Sequence, residues 1–300
     1  MRLIGLAFVL ALSLFAETIA GHAQAAAKVW RIGILQTSSP KDDVRRVTAL
    51  EQGLAELGYL GGRNVVLVNR NAGQQVARLS EFAAELVRAG VDVIVTSTNP
   101  ATLAAKRATS TIPIIMTVGV EPVAAGLIAS LAKPGGNVTG LTFDVDAIQL
   151  AAKRLEILKE LMPSLSRVAV LWNPAYAPGS MRVKGTEQAG RSLSITIVSV
   201  HFSEGSGAEQ AFAEIRRAQA EAVAVLSDPV LVARRAEITD MAARYRVPAI
   251  YALREWVEDD GLMSYATSLN EQWHLAARYV DKVLKGAKPA DLPVEQPSKF

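Results

Sequence analysis

Several polar side chains in this chain directly follow apolar, β-branched runs of the kind that form buried strands. The carboxyl edge of a parallel sheet is where open α/β folds hold small ligands. Hydroxyls, amides and free helix N–H groups there suit an anion such as a carboxylate, whereas an aspartate suits an ammonium group. The candidate ligand-binding residues of this kind are Gln36, Ser38, Ser97, Thr98, Asn99, Glu121, Asn173, Asp228, Tyr251 and Glu255.

Five of the apolar runs end in a polar residue that is followed at once by proline. The pairs are Ser39-Pro40, Asn99-Pro100, Glu121-Pro122, Asn173-Pro174 and Asp228-Pro229. Proline suits the first turn of a helix, where its missing N–H is not needed, and Asn, Asp or Ser before it caps the helix. Each pair therefore predicts a buried strand that passes directly into a helix. A single pair is equally explained as a capping turn, but five in one chain favour a shared site.

The candidate residues include no base paired with a nucleophile, so we expect binding rather than catalysis. The chain has no cysteine, which excludes thiol catalysis, disulfides and cysteine metal sites. His201 and His274 lie far apart and lack a metal-like spacing. The segment from Ser38 to Lys41 matches S-x-x-K, but the companion S-D-N and K-T-G motifs do not occur, and there is no Walker loop or dinucleotide fingerprint. We therefore expect no enzyme activity, no metal and no cofactor.

The composition and the N-terminus indicate an exported globular protein. The 300 residues are 50% hydrophobic and 20% charged, as in ordinary globular domains. An apolar run behind Arg2 is too short to span a bilayer and precedes an A-x-A site at residues 23–25, so we interpret residues 1–25 as a signal peptide. A retained membrane anchor is the alternative. Export without disulfides favours the periplasm. The net charge of +3 is spread over helices of mixed sign, so no nucleic-acid partner is expected.

Strands and helices alternate along the rest of the sequence. Continuous runs such as VDVIV and IPIIM are separated by helices with apolar residues at three-and-four spacing, which predicts a parallel sheet covered on both faces. Residues 88–100 align without a gap on residues 217–229, and RIGIL and IPII match RVAVL and VPAI in the same order. This internal repeat predicts two lobes of like topology.

We expect the chain to cross between the lobes more than once, through a hinge of several strands. The predicted first lobe is residues 26–144 plus 262–288, because GLMSYA and the helix after it have no strand-helix partner left in the second lobe. The predicted second lobe is residues 145–261 plus 289–300, with LPVEQPSKF interpreted as a crossing into it.

Six segments resemble the ABC transporter substrate-binding proteins of the tryptophan/tyrosine type. They are GILQ, GLAELGYLGGRNV, IPIIMTVGVEPVAAGL, GGNVTGLT, DDGLMSYA and PADLPVEQPSKF, and the resemblance covers essentially the whole mature chain. It implies the type I periplasmic binding fold, in which two Rossmann-like α/β lobes with parallel sheets, joined by a multi-strand hinge, close over a ligand. It also implies that the loop from Ser97 to Thr102 holds the ligand carboxylate and that Asp228 holds the amino group.

These observations predict a periplasmic substrate-binding component of an ABC importer. The expected ligand is small and amino-acid-like, or an aromatic carboxylate, held in the cleft by hinge closure. The resemblance implies an inner-membrane ABC permease as the partner, and we expect a monomer. The alternative is an exported ligand-binding module that serves a sensor or signalling receptor through the same site.

Overall fold

The computed structural model describes residues 28–73, 75–143, 147–203 and 205–297. Residues 1–25, which the sequence predicts to be a signal peptide, lie outside that description. The described residues form two α/β lobes, each built on a five-stranded sheet whose strands all pair in parallel. The predicted fold class, two Rossmann-like lobes with parallel sheets, is therefore confirmed. Within these ranges no helix combines the length and the apolar character that a membrane crossing needs.

The first lobe has the strand order β2-β1-β3-β4-β5. Its strands are β1 (Trp30–Gln36), β2 (Val65–Asn71), β3 (Val93–Thr96), β4 (Ile114–Gly119) and β5 (Val138–Thr142). The helices between them are α1 (Pro40–Glu56), α2 (Leu79–Arg88), which follows a short 3₁₀ helix, and α3 (Asn99–Ala108).

The second lobe has the strand order β10-β9-β8-β6-β7. Its strands are β6 (Arg167–Trp172), β7 (Thr196–His201), β8 (Ala222–Val225), β9 (Ala249–Tyr251) and β10 (Met263–Ser264). Its helices are α4 (Ala147–Leu161), α5 (Ala177–Ser192), α6 (Ala208–Arg217), α7 (Pro229–Ala233) and α8 (Arg235–Tyr245). A 3₁₀ helix (Arg254–Trp256) lies between β9 and β10.

Helix α9 (Leu269–Leu284) returns from β10 to the first lobe. Its buried Trp273 belongs to the same apolar core as Leu54 of α1. The two helices lie close together at Gly53, where an added Cβ would lie 2.9 Å from the Cβ of Ala277. Glycine at this position therefore lets α1 and α9 pack together.

Both lobes have the same topology, which confirms the internal repeat. In each, the second strand lies at one edge, the first strand lies beside it, and the third, fourth and fifth follow in order. The aligned segments 88–100 and 217–229 occupy equivalent places, since each runs from a helix end through the third strand of its lobe to the next helix.

The chain crosses between the lobes after β5 and again between β10 and α9. The crossing segments lie side by side, because the Thr267 hydroxyl donates a 3.3 Å hydrogen bond to the carbonyl oxygen of Phe143.

The assignment of residues 262–264 to the first lobe was wrong. Met263 and Ser264 form β10, the fifth strand of the second sheet, and pair with Ile250 and Tyr251 of β9. The strand has two residues and both are only partly buried, so it lacks the continuous apolar run that marks the other strands.

The assignment of residues 289–297 to the second lobe was also wrong. After a 3₁₀ helix (Pro289–Asp291), buried Val294 packs in the first lobe. Its N–H donates to the Leu131 carbonyl at 2.7 Å, and the Thr142 N–H donates to the Glu295 carbonyl at 2.9 Å. The outer edge of β5 offers unpaired backbone groups, and this segment pairs with them. Residues 298–300 lie outside the described residues.

Two of the five strand-proline junctions have the predicted cap. The Ser39 hydroxyl accepts a hydrogen bond from the Asp42 N–H at 3.2 Å, at the start of α1. Asp228 Oδ1 accepts from the N–H groups of Val230 at 2.7 Å and Leu231 at 3.1 Å, at the start of α7.

The other three junctions differ from the prediction. Helix α3 does begin at Asn99, but its cap position is Thr98, and no side chain caps it. After Asn173 the chain makes a turn, in which Asn173 Oδ1 accepts from the Ala175 N–H at 3.0 Å, and α5 begins only at Ala177. Glu121 has a positive φ of 44° and precedes a turn rather than a helix. Proline after a strand suits a turn as well as a helix start, and the residues that follow decide between them.

Candidate functional site

The carboxyl ends of the strands in the two lobes face each other. Helix α1 begins just after β1, and its Lys41 Nζ lies 2.9 Å from Oδ1 of Asp259, in the segment that follows β9. The polar residues that end the strands of the first lobe therefore lie across from those of the second. We define the space between these two edges as the interlobe cleft, which is where open α/β sheets hold ligands.

Asp228 is the most unusual polar residue at this edge. Its side chain follows β8 and is only 4% exposed. Oδ1 caps α7, whereas Oδ2 is buried and has no hydrogen-bond partner within the part of the chain that the structure describes. Burial raises the pKa of Asp228, even though two N–H donors, Asn173 and Arg182 act to lower it. A buried carboxylate oxygen without a donor is costly, so a ligand group that donates to it would be strongly favoured.

Asn173 lies beside Asp228 at this edge of the second lobe. It is buried, and its Nδ2 is 3.4 Å from Asp228 Oδ1. Its Oδ1 is occupied by the Ala175 N–H. Asn173 therefore holds the capping oxygen of Asp228 and leaves the other carboxylate oxygen unpaired.

Gln36 and Ser38 lie together in a buried network at the end of β1. The Ser38 hydroxyl donates to Gln36 Oε1 at 3.1 Å, and Gln36 Nε2 donates to Asp43 and to Asn69 Oδ1. Asn71 Oδ1 accepts from the Ser38 N–H at 3.1 Å. Sequence reasoning missed Asn69 and Asn71, although their alternation in VVLVNRN places both on one face of β2.

Ser97 and Thr98 lie next to the loop after β1. The Ser97 hydroxyl accepts from the Thr37 N–H at 3.2 Å, and the hydroxyls of Thr98 and Thr37 are 3.4 Å apart. Among the described residues no side chain caps α3, so the Thr98 hydroxyl lies at an uncapped helix N-terminus. Such a helix N-terminus with adjacent hydroxyls suits a carboxylate.

Asn99 is bonded to the backbone of the residue that follows the neighbouring strand β4. Its Nδ2 donates to the Val120 carbonyl at 2.6 Å, and its Oδ1 accepts from the Val120 N–H at 3.0 Å. These bonds fix the loop after β4 to the start of α3. Glu121, the next residue, is exposed.

The remaining three predicted residues lie in different environments. The buried Thr102 hydroxyl contacts the Thr98 carbonyl at 3.0 Å and the Thr96 hydroxyl at 2.7 Å. Tyr251 is buried and stacks on Trp256 with ring centroids 4.8 Å apart, and burial raises the pKa of its hydroxyl. Glu255 is partly buried in the 3₁₀ helix after β9.

Arg46 is a cleft residue that sequence reasoning did not identify. Its Nε is buried without a hydrogen bond in the described chain. Burial lowers the pKa of the guanidinium, although Glu255 of the second lobe and Asp42 and Asp43 of its own helix act to raise it. The helical spacing could have revealed it, because Arg46 lies four residues from the buried Asp42 and four from the buried Leu50.

Comparison with known proteins supplies the family. The chain is 28% identical over 243 residues to a tyrosine-binding protein of Clostridioides difficile. The aligned region covers 81% of this chain and 69% of that protein. A Streptococcus pneumonia ABC domain solved in complex with L-Trp is 26% identical, with a TM-score of 0.78 and coverage of 91% and 90%. A conserved domain protein of Vibrio cholerae, 24% identical with a TM-score of 0.79 and coverage of 91% and 90%, shares the fold.

The family model for ABC transporter substrate binding proteins matches residues 31–300. This match includes both lobes, the crossing segments between them and every candidate residue described above. The chain therefore belongs to the ABC transporter substrate-binding protein family.

Proposed function

We propose that this protein is the periplasmic substrate-binding component of an ABC importer. It binds a small amino-acid-like ligand, or an aromatic carboxylate, in the interlobe cleft by hinge closure. It acts as an exported monomer that delivers the ligand to an inner-membrane permease, without a cofactor. The observation that carries the proposal is the buried Oδ2 of Asp228, which no described residue pairs with, beside its bonded Oδ1.

An ammonium group fits Asp228 better than a neutral donor does. The carboxylate is almost completely buried, and burial raises its pKa. A cation beside Oδ2 would favour the charged form and form a charge-assisted hydrogen bond, which is stronger than a neutral one.

The opposite end of the ligand is assigned to the first lobe. Ser97, Thr98 and the uncapped N-terminus of α3 form the carboxylate end of the proposed site. The buried network of Gln36 and Ser38 supports the loop beside it. Asn173 orients Asp228, and Arg46 and Glu255 form the edge of the cleft. Thr102 and Tyr251, whose side chains lie in the interior, and exposed Glu121 are left out of the set.

The names of two relatives support an amino acid as the ligand. One is a tyrosine-binding protein, and the other was solved with L-Trp. Both ligands carry an ammonium and a carboxylate on one carbon, which matches the two ends of the proposed site.

The proposal is tested by titration calorimetry with ligands that lack one group at a time. We expect L-tyrosine or L-tryptophan to bind, tryptamine to bind weakly because it lacks the carboxylate, and indole-3-propionate to bind weakly because it lacks the ammonium. Equal binding of all of them would contradict the proposed site.

Transport needs a separate measurement, because a sensor module would use the same site. We expect uptake of labelled ligand to fall when the gene is deleted. Binding in calorimetry without any change in uptake would favour the sensor alternative.

A further inference from the structure

The two lobes are joined by a set of ion pairs at the edge of the interlobe cleft. From the first lobe, the first two turns of α1 contribute Lys41, Asp42 and Arg45. From the second lobe, α8 contributes Arg235, and the segment before β10 contributes Glu258 and Asp259. We call these six residues the interlobe clasp. Its pairs are Lys41–Asp259 at 2.9 Å, Arg235–Asp42 at 3.4 Å, Arg45–Glu258 and Arg235–Asp259.

Arg235 is the centre of the clasp. Its guanidinium contacts a carboxylate of each lobe, Asp42 across the cleft and Asp259 within its own lobe. The Arg235 and Asp42 side chains are only 13% and 6% exposed. A pair that is this well shielded from water is screened much less by salt than a surface pair.

Asp42 connects the clasp to the site of the first lobe. Its Oδ2 accepts a 2.7 Å hydrogen bond from the Ser39 hydroxyl, and Ser39 caps α1. Ser39 directly follows Ser38, whose backbone and hydroxyl are fixed by Asn71 and Gln36. Asp42 therefore links the second lobe, through Ser39, to the loop that borders the cleft.

The two halves of the clasp carry complementary charges. Its first-lobe residues are two cations and one anion, and its second-lobe residues are one cation and two anions. Burial acts to raise the pKa of Asp259, but Lys41 and Arg235 outweigh it and hold that pKa below its usual value. The acid is therefore ionised throughout the neutral range, as the clasp requires.

We propose that Arg235 is a positioning residue and that the interlobe clasp sets how long a ligand stays bound. This inference rests on the proposed function, because it concerns closure of the same site. The clasp forms only when the lobes approach, so it stabilises the closed form and slows ligand release without touching the ligand. The apparent affinity for a ligand rises in proportion to the populated fraction of the conformation that binds it.

The test compares wild type with Arg235→Gln, using L-tyrosine as the probe. We expect Arg235→Gln to weaken affinity about tenfold, almost wholly through faster dissociation in stopped flow. The matched control is Arg244→Gln, since Arg244 is paired with Asp240 within α8 and is far more exposed. We expect its affinity to match wild type. Because Arg235 and Asp42 are shielded from water, raising salt from about 0.05 M to about 0.5 M should leave the difference in affinity between wild type and Arg235→Gln nearly unchanged.

A second pair keeps the test valid if Arg235→Gln does not fold. Arg45→Ala, Glu258→Ala and the double variant form a double-mutant cycle across the cleft. Because these side chains are more exposed, we expect a coupling of about two- to fivefold in affinity. Additive effects in this cycle would overturn the clasp where Arg235→Gln does not fold, and unchanged dissociation in Arg235→Gln would overturn it where that variant folds.

The clasp and the proposed function fail in distinguishable ways. If no amino acid binds wild type, the proposed function is wrong, and the clasp is then tested by small-angle scattering of the ligand-free protein. The clasp predicts a larger radius of gyration for Arg235→Gln than for wild type and Arg244→Gln at low salt. Identical scattering profiles would overturn it.

Discussion

Asn173 Nδ2 lies 3.4 Å from Oδ1 of Asp228, and this contact joins the ends of the adjacent strands β6 and β8. Together with the N–H groups of Val230 and Leu231, Asn173 provides the third donor to the same oxygen. The carboxylate is therefore held in one orientation, with Oδ2 on the side where the described part of the chain supplies no donor. Oδ1 caps helix α7, whereas Oδ2 is available for a ligand.

Replacing Asp228 by asparagine separates these two roles. Asn is as good a helix cap as Asp, so we expect the free energy of unfolding to change by less than about 1 kcal/mol. The charge-assisted bond to a ligand ammonium contributes roughly 1.5–3 kcal/mol, so L-tyrosine should bind about ten- to a hundredfold more weakly. Calorimetry and urea unfolding measure both. Equal affinities would reduce Asp228 to a helix cap.

Removing the Asn173 side chain should weaken binding less than Asp228→Asn does. Asn173→Ala takes one of three donors from Asp228 Oδ1, at a cost of roughly 0.5–1.5 kcal/mol, or about two- to tenfold in affinity for L-tyrosine. Ser199→Ala is the control, because it removes a hydrogen bond to Trp172 in the same lobe that does not reach Asp228. If the two variants bind alike, Asn173 does not orient the carboxylate.

Affinity for an ammonium ligand should depend on pH in a defined direction. Burial raises the pKa of Asp228, and the ligand needs the ionised form. We therefore expect affinity to fall with decreasing pH already above the ordinary Asp value of about 3.9. Calorimetry between about pH 4 and pH 8 tests this. The same decline in Asp228→Asn would assign it to another group.

The contribution of Asp228 to the stability of the ligand-free protein should change with pH in the opposite direction, falling as pH rises. Because the folded state holds the Asp228 proton more tightly than the unfolded chain does, this group favours folding most below its unfolded pKa of about 3.9. That contribution is lost as pH rises through the higher folded pKa. Asp228→Asn should remove this part of the pH dependence in urea unfolding, and an unchanged profile would contradict it.

The contact between α1 and α9 should tolerate no side chain at Gly53. An added Cβ would lie 2.9 Å from the Cβ of Ala277 and closer still to the His274 carbonyl. We expect Gly53→Ala to lower the free energy of unfolding by about 1–3 kcal/mol, because the helices must separate. Gly61→Ala is the control, since no atom lies within 4 Å of its added Cβ. Equal melting temperatures would argue against this close packing.

The sequence indicated the fold well because most strands are continuous apolar, β-branched runs, and because an internal repeat shows the same strand pattern in each lobe. The assignment of elements to lobes failed at β10, because that strand consists of only two residues, Met263 and Ser264, which are both partly buried. It failed again at Val294, whose pairing with the edge of β5 depends on backbone groups that carry no residue signature. Local pattern predicts local structure, whereas these two assignments depend on contacts distant in sequence.

The candidate site was predictable in outline only. Asp228 stood out because one residue both ends a strand and precedes a helix proline. The functional state of each side chain was not predictable, because it depends on partners elsewhere in the chain. Asn99 is occupied by the Val120 backbone, and the Thr102 hydroxyl is occupied within its own lobe. The spacing of Arg46 on its helix and of Asn71 on its strand was visible in the sequence, but that these faces border the cleft depends on how the elements pack.

The return of α9 to the first lobe sets the order in which the two lobes can be completed as the chain becomes available from its N-terminal end. The second lobe is continuous in sequence, from α4 to β10. The first lobe begins earlier in the chain, but its core is incomplete until Trp273 of α9 packs in the same cluster as Leu54. Since a domain folds as a unit, the lobe that begins first is completed last, and its apolar core stays open until the second lobe has passed.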